Sequence, residues 1–459
     1  MATRQSICIL GLGLSGIAAA RHALACGDEV TIYAGKKTEK TAAAAVEFER
    51  RGVPVHFDTE DVEGPFDLCV ACPGIPATSA FYQSACAAAA ELISEPEYAW
   101  RFSPEGWIAV TGTNGKTTTT SLVAHLLRES GQDVCLCGNT QDVTVTEACE
   151  QRGDAAIVAE LSSFQLASTR RFAPRIAVLL NIASDHLAWH GSQEAYADAK
   201  LNIFANLAAG SVAVIVDTVP AAIEVVALLR SRGVRVLTVG ERRMIDCAYA
   251  DADGIMWYVD EDGERTRLGS VNELKIKGTH NVENALSAAC AALAWGCPAN
   301  AVSLALTTFA PLSHRIEPCG SVGEVSFFDD SKATNVDATL KALTAFPDGS
   351  VVLLLGGRDK GTDLSGLVSA CARSCAAVVC YGEAGPRFFE AFSSAGIPRE
   401  QASDMRTAFE AACRLARPGQ SVLLSPACAS FDEFTGFAQR GDVFKGLVAA
   451  YRDEAARTA

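Results

Sequence analysis

The chemistry-bearing residues of this chain gather first at Gly112-Thr-Asn-Gly-Lys-Thr117, which follows an apolar run from Ile108 to Val110 and opens a stretch of helical character through His125 and Leu126. Glycines at such a turn let backbone N–H groups approach an anion, and a helix N-terminus favours negative charge. Lys116 is placed to reach terminal phosphates, and the Thr117 hydroxyl suits Mg²⁺. A standard Walker loop wants a further glycine five positions before Gly115, where Val110 stands. ATP or GTP is the expected ligand; a plain structural turn is the bland alternative. Glu160, just past another apolar run, offers an oxygen ligand for Mg²⁺ beside Thr117, or simply a carboxylate favoured at a helix start. Lys200 falls with Tyr196, Ile203 and Phe204 on one face of a helical pattern between Gln193 and Leu207. A lysine there either snorkels at the edge of the core or is desolvated enough to lose its proton and do chemistry. His186 is a possible partner or metal ligand, although a lone histidine is more often structural. His314, Arg315, Asp330, Lys332 and Lys360 sit at strand ends in the last third, where they face a nucleotide or are solvated surface charge.

These residues need a scaffold, and the pattern supplies a repeated one. Ser6–Leu10, Gly11-Leu-Gly-Leu-Ser-Gly16, a helical run to Leu24, Gly27 and then Glu29–Tyr33 read as strand, glycine turn, helix and strand. The acid that binds the ribose of NAD is missing: Ala34 and Gly35 follow the second strand, then Lys36 and Lys37. NAD is therefore disfavoured, leaving NADP or the diphosphate of another nucleotide. Residues 66–71 make a third strand, turning at Pro73-Gly74. Ser103–Gly106 reads as a linker. In the central section, apolar runs near 108–110, 133–137, 155–159, 176–180, 212–216 and 234–239 alternate with helical spans. Such alternation predicts a mostly parallel sheet, with a hairpin at 254–268 appended. The last section repeats the alternation at 325–329, 350–355, 376–381 and 421–424. Three polar clusters follow its strands, on the edge where parallel sheets bind ligands. The fold class is α/β with three domains, expected at 1–98, 99–310 and 311–459: Rossmann-like, phosphate-loop and Rossmann-like.

The formal net charge of −15 and the lack of a Lys/Arg block argue against nucleic acid as a partner. The Cys69/Cys72, Cys135/Cys137 and Cys371/Cys375 pairs allow zinc, but most of the 17 cysteines fall in strand-like or Ala-rich runs and read as small buried hydrophobes. So many free thiols, with no leader and no membrane-length apolar run, predict a cytoplasmic protein without membrane insertion.

The set of motifs resembles the Mur ligase family along all three sections: Gly11–Gly16, Thr111–Thr117, Glu160-Leu-Ser-Ser-Phe-Gln-Leu166, Asp185-His186, Gly278-Thr-His-Asn-Val-Glu-Asn-Ala285, His314-Arg315, Asp330-Ser-Lys-Ala-Thr-Asn335, Gly356-Gly-Arg-Asp-Lys360 and Ser425-Pro-Ala-Cys-Ala-Ser430. The resemblance implies ATP-dependent addition of D-glutamate to UDP-N-acetylmuramoyl-L-alanine through an acyl phosphate. It implies that Gly112, Thr113, Asn114, Gly115, Lys116, Thr117 and Thr118 hold ATP together with Asn281, Asn284, Arg315 and Asp330. Thr117 and Glu160 hold one Mg²⁺; His186 and a Lys200 carbamoylated by CO₂ meet a second. Leu14, Ser15 and Gly74 face the UDP group, Asn139 and Ser162 the muramoyl-alanine end. Lys332, Thr334, Lys360, Ser430 and Phe437 frame D-glutamate. Lys116, His186 and Lys200 are the catalytic set, in a monomer that closes about hinges near Ser103 and Pro311. Thr140-Gln141, Ala188 and the Ala34-Gly35-Lys36 strand end depart from the family pattern. Another amino-acid ligase of the Mur or folylpolyglutamate type, a regulatory nucleotide-binding protein and an NADP-dependent oxidoreductase are the competing readings.

Overall fold

The computed structural model describes residues 4–139, 143–219, 222–359 and 361–458; Thr140, Gln141 and Lys360 lie outside these, as does the side chain of Ala188. The chain forms two compact units, Met1–Glu273 with Glu283–Thr308, and Leu274–Val282 with Phe309–Ala459.

The first unit carries two sheets. In one, β1 (Ser6–Leu10), β2 (Glu29–Tyr33), β3 (Val55–His56), β4 (Leu68–Ala71) and β5 (Leu92–Ser94) run parallel in the order β3-β2-β1-β4-β5. Leu10 pairs with both Tyr33 and Ala71, so the turns after β1 and β4 emerge side by side. Gly11 has φ +95°, and a Cβ on Gly16 would strike the Gly11 carbonyl. That close approach is the physical content of the glycine fingerprint.

The second sheet holds β6 (Trp107–Thr111), β7 (Val134–Gly138), β8 (Ala156–Glu160), β9 (Ile176–Leu179), β10 (Val212–Val216), β11 (Arg235–Val239), β12 (Cys247–Ala250), β13 (Ile255–Val259) and β14 (Arg265–Ser270). Their order is β14-β13-β12-β11-β10-β9-β6-β8-β7. It is parallel through β12 and ends in an antiparallel hairpin. The near-continuous apolar strands suit burial on both faces. β6 lies between β8 and β9, with Val110 beside Glu160 and Thr111 beside Leu179. The phosphate loop and the loops after β8 and β9 therefore leave the sheet at one edge.

Buried polar bonds join these two sheets. The helix Glu95–Phe102 follows β5, and the buried Glu95 carboxylate accepts from the Thr146 backbone N–H (2.6 Å) and hydroxyl (2.7 Å). Glu97, also buried, accepts from the N–H groups of Arg170 and Arg171 and pairs with Arg101. The segment expected as a linker is anchored by Trp107, whose indole N–H donates to the Ser103 carbonyl at 2.6 Å. These contacts oppose free hinging at Ser103.

The second unit's sheet comprises β15 (Glu317–Val322), β16 (Val325–Asp329), β17 (Val351–Gly356), β18 (Cys375–Tyr381), β19 (Arg399–Gln401) and β20 (Ser421–Leu424), in the order β15-β16-β20-β17-β18-β19. Only the β15 edge is antiparallel. β20, last in the chain, inserts between β16 and β17, so Leu424 pairs with both Asp329 and Leu354. The three polar clusters thus share one edge. The pattern had missed β3, β5, β12, β15 and β19; these are short, or carry Pro and Gly, or lack β-branched residues, and neighbours rather than propensity hold them. Most cysteines are buried in these sheets and helices. Among the described residues no helix is long and apolar enough to cross a membrane.

Candidate active site

The phosphate loop is fixed by backbone geometry. Gly115 caps the helix Lys116–Glu129 with φ +86°, and a Cβ there would collide with the Asn284 side-chain oxygen. Glycine is therefore demanded twice, and the Asn284 side chain lies against the loop. Asn181, after β9, brackets the turn: its Oδ1 accepts from Asn114 N (2.9 Å), and its Nδ2 donates to the Asn114 carbonyl (3.0 Å). The Thr113 hydroxyl meets the Tyr196 hydroxyl at 2.9 Å. Thr118 is buried under the loop.

Lys116 donates to the carbonyls of Gly112 (3.0 Å) and Thr113 (2.9 Å). Lys200 donates to the same Gly112 carbonyl at 2.7 Å and is only 1% exposed. The snorkelling alternative fails because this amine ends inside the protein. Its helix is shorter than the pattern suggested: Gln193–Leu201 is α-helical, and a 3₁₀ turn, Asn202–Phe204, completes the apolar face. Burial, and next the charge of Lys116, hold the Lys200 amine well below the ordinary lysine range, against the opposing pull of Asp185 and Glu160. An amine with lowered basicity gives up its proton more readily than an ordinary lysine.

Glu160 ends β8, buried, and its Oε1 accepts from Asn139 Nδ2 at 3.2 Å. Asn139 thus orients a metal-competent carboxylate as well as lying at the edge where substrate contact was expected. The Ser162 hydroxyl is used locally, capping the short helix Ser163–Leu166. His186 has φ +54° at the start of the helix Leu187–His190 and is half-exposed. Its ring lies against Phe164 (4.8 Å between centroids) and 3.5 Å from the Asp185 carboxylate. Oxygen from Thr117 and Glu160 fits a hard cation such as Mg²⁺; the Lys200 amine as it stands does not. In the other sheet of this unit, Leu14 and Ser15 open the helix Leu14–Cys26 after the glycine turn, with Leu14 exposed, and Gly74 lies in the adjacent turn.

In the second unit, Asn281 and Arg315 line a cavity of about 150 Å³ with Phe328 and Phe346 on its apolar side and Lys275 and Lys277, which the sequence had not singled out, on its charged side. Both neighbours of Arg315 have positive φ, His314 +62° and Ile316 +47°. For a β-branched residue that is costly backbone, and surrounding bonds hold it. Glu317 accepts from His314 N (2.8 Å), Asp330 from Ile316 N (3.3 Å), and Asp329 meets His314 Nδ1 at 2.6 Å. Burial pushes the Asp330 carboxyl up to about 7, against a Ser425 hydroxyl that donates to it at 2.7 Å. Lys332 sits over the Phe437 ring at 3.8 Å, and Thr334 donates its N–H to the Lys332 carbonyl. Ser430 is buried at the turn before Phe434. Arg440, fully buried and not anticipated from sequence, donates to Ser331 Oγ, to the Ser331 carbonyl and to the Cys428 carbonyl, binding the loops after β16 and β20 together. It stands in the helix Phe437–Thr458 among other charged residues, so no local signal separates it from a surface charge.

A phosphate-loop strand set inside a parallel sheet, a buried carboxylate beside it and a buried lysine on the loop define a nucleotide-dependent enzyme of the α/β class. The chain belongs to the Mur ligase family. The Mur ligase middle domain matches residues 110–292, and the Mur ligase, glutamate ligase domain matches residues 314–428. Two curated relatives are the UDP-N-acetylmuramoylalanine–D-glutamate ligases of Geobacillus kaustophilus, 36% identical over 97% of both chains, and of Geobacillus sp., 37% identical over 97% of both. The fold is similar to that in the crystal structure of the UDP-N-acetylmuramate-alanine ligase MurC from Thermotoga maritima, with a TM-score of 0.59, 19% identity and coverage of 98% of this chain and 100% of that one. Family membership removes the oxidoreductase reading of the glycine turn.

Proposed function

We propose that this chain joins D-glutamate to UDP-N-acetylmuramoyl-L-alanine at the expense of ATP, in the cytoplasm, as a monomer. The observation that carries the reading is the meeting of Lys116 and Lys200 on the phosphate loop beside Glu160, in a chain whose relatives at 33–37% identity are named for that reaction. The γ-phosphoryl group passes from ATP to the alanyl carboxylate. The D-glutamate amine then attacks the acyl carbon, the new C–N bond forms, and phosphate leaves, giving the amide, ADP and phosphate.

Lys116 exchanges two neutral carbonyls for the anionic phosphoryl group and follows it in flight, with the N–H groups of residues 112–118 as further donors. Asn284 supports the loop; Asn281, Arg315 and Asp330 serve the nucleotide. Thr117 and Glu160 would hold one Mg²⁺, and His186 with Lys200 a second; bound there, the cations offset repulsion between the substrate carboxylate and the phosphate. Lys200 fits that role once its neutral amine adds to CO₂, forming an N–C bond and releasing a proton, because the carbamate presents oxygens. Its burial and depressed basicity support this. Leu14, Ser15 and Gly74 serve the UDP group, Asn139 and Ser162 the muramoyl-alanine end. Lys332, with Lys360, meets the carboxylates of D-glutamate, framed by Thr334, Ser430 and Phe437.

Phosphate release with UDP-MurNAc-L-Ala and a panel of amino acids tests the reading. Release specific to D-glutamate is expected; release with another amino acid, or with none, overturns it.

A further inference from the structure

His190 belongs to none of the roles above, yet it is wedged among residues that do. It ends the helix Leu187–His190, and its Nε2 lies 2.9 Å from the Ser163 hydroxyl, in the loop that leaves the Glu160 strand. Its ring stacks on Phe164 (5.5 Å) and meets Tyr196 edge-on (5.2 Å). Tyr196 is buried; its hydroxyl meets Thr113 of the phosphate loop at 2.9 Å, and its ring lies 4.7 Å from Lys200 Nζ. A continuous path of contacts therefore runs from the Glu160 strand through Ser163, His190 and Tyr196 to both the loop and the buried lysine.

We propose that His190 is a positioning residue for the reaction: anchored by Ser163, its ring holds Tyr196, and Tyr196 sets the orientation of Thr113 and Lys200. The inference rests on the ligase reading above. The His186 ring also lies near both Phe164 (4.8 Å) and Tyr196 (6.4 Å), but His190 adds a hydrogen-bonding contact to Ser163 that ties Tyr196 to the segment after β8. Groups that orient primary ligands are commonly worth 10–100-fold in metal affinity or activity. The imidazole is pushed down to about 4 chiefly by burial, then by His186 and Lys200.

The test compares wild type with His190→Ala, His190→Asn and Ser163→Ala. It measures kcat, KM for ATP, Mg²⁺ dependence, thermal melting, and binding of a non-hydrolysable ATP analogue by calorimetry with and without Mg²⁺. His190→Ala is expected to lower kcat about 10–100-fold and to raise the Mg²⁺ needed for half-maximal rate. Analogue affinity without Mg²⁺ stays within about threefold, Ser163→Ala shows a weaker form of the same pattern, and His190→Asn, which keeps a partner for Ser163, recovers part of the rate. Unchanged kcat and Mg²⁺ dependence in His190→Ala overturn the proposal. So does a rate loss that follows the melting temperature and is not recovered by His190→Asn. If wild type itself shows no D-glutamate-dependent phosphate release, the ligase reading fails; if it does and His190→Ala matches it, only the positioning role fails.

Discussion

The side-chain amines of Lys116 and Lys200 meet at one oxygen, the carbonyl of Gly112, at 3.0 and 2.7 Å. Two ammonium groups cannot share that position without repulsion, and Lys200 is the one removed from water. The two amines sit in different surroundings: Lys116 is partly exposed, while burial and the charge of Lys116 hold the Lys200 amine well below the ordinary lysine range.

Lys200→Ala is expected to lower kcat about 10²–10³-fold, the usual cost of losing one electrostatic group from a site. Added formate or acetate restores part of the rate by supplying a carboxylate in the vacated space. Lys200→Arg stays inactive, because guanidinium does not deprotonate and cannot form a carbamate. Initial rates across a carboxylate series check this; full activity in Lys200→Ala rejects the role.

Gly115→Ala places a methyl group against Asn284 on a backbone at φ +86°. Strain of about 1–3 kcal/mol and displacement of the loop follow. KM for ATP should rise at least tenfold, with melting temperature lowered. Combining it with Asn284→Ala relieves the collision but not the backbone strain, so recovery is incomplete. Complete recovery in the double variant would show that positive φ does not matter here.

Arg440→Met leaves the carbonyls of Ser331 and Cys428 buried without their donor, at about 1–3 kcal/mol for each such group. A lower urea midpoint is expected, together with a raised KM for D-glutamate, since the two loops that Arg440 ties carry Lys332 and Ser430. Urea titration and KM measurement check both effects; a wild-type midpoint would mean that the buried guanidinium is readily replaced.

Burial pushes the Glu95 carboxyl up to about 7, against the stabilising bonds from Thr146. With the folded value above the unfolded 4.5, the folded state holds the proton more tightly. The contribution of protonated Glu95 is complete below about pH 4.5 and is lost as pH rises through 7. Glu95→Gln should accordingly add stability that grows from pH 4.5 to 7 and levels off above it, on the order of 3 kcal/mol at the plateau. Melting temperatures from pH 5 to 9 measure this. A constant offset across that range would show that Glu95 does not change protonation.

Much of the architecture was legible because parallel strands buried on both faces leave continuous apolar runs, and because glycines mark turns no other residue enters easily. Ser6–Leu10, Glu29–Tyr33, Val212–Val216, Val325–Asp329 and Ser421–Leu424 fall where the pattern put them. Short strands such as Val55–His56 and Arg399–Gln401 did not show, since two or three residues carry no period. Gly115, Glu160 and Asn284 were readable as residue types at strand and helix ends. The bond that makes Asn139 an orienting group for Glu160 was not, because it joins two strand ends across the sheet.

What the sequence determined by itself is the set of chemical groups and the order of the elements that present them: phosphate loop, buried-face lysine, acid at a strand end, clusters after the last sheet's strands. Tertiary structure alone decided which of these meet. The apolar helix face left Lys200 with two readings, and only the packing of that helix against the phosphate loop, through Tyr196 and the Gly112 carbonyl, takes its amine out of water. Only the insertion of β20 between β16 and β17 brings Ser331 and Cys428 within reach of Arg440. Desolvation and hydrogen-bond geometry depend on neighbours distant in the chain, and periodicity along a sequence does not carry them.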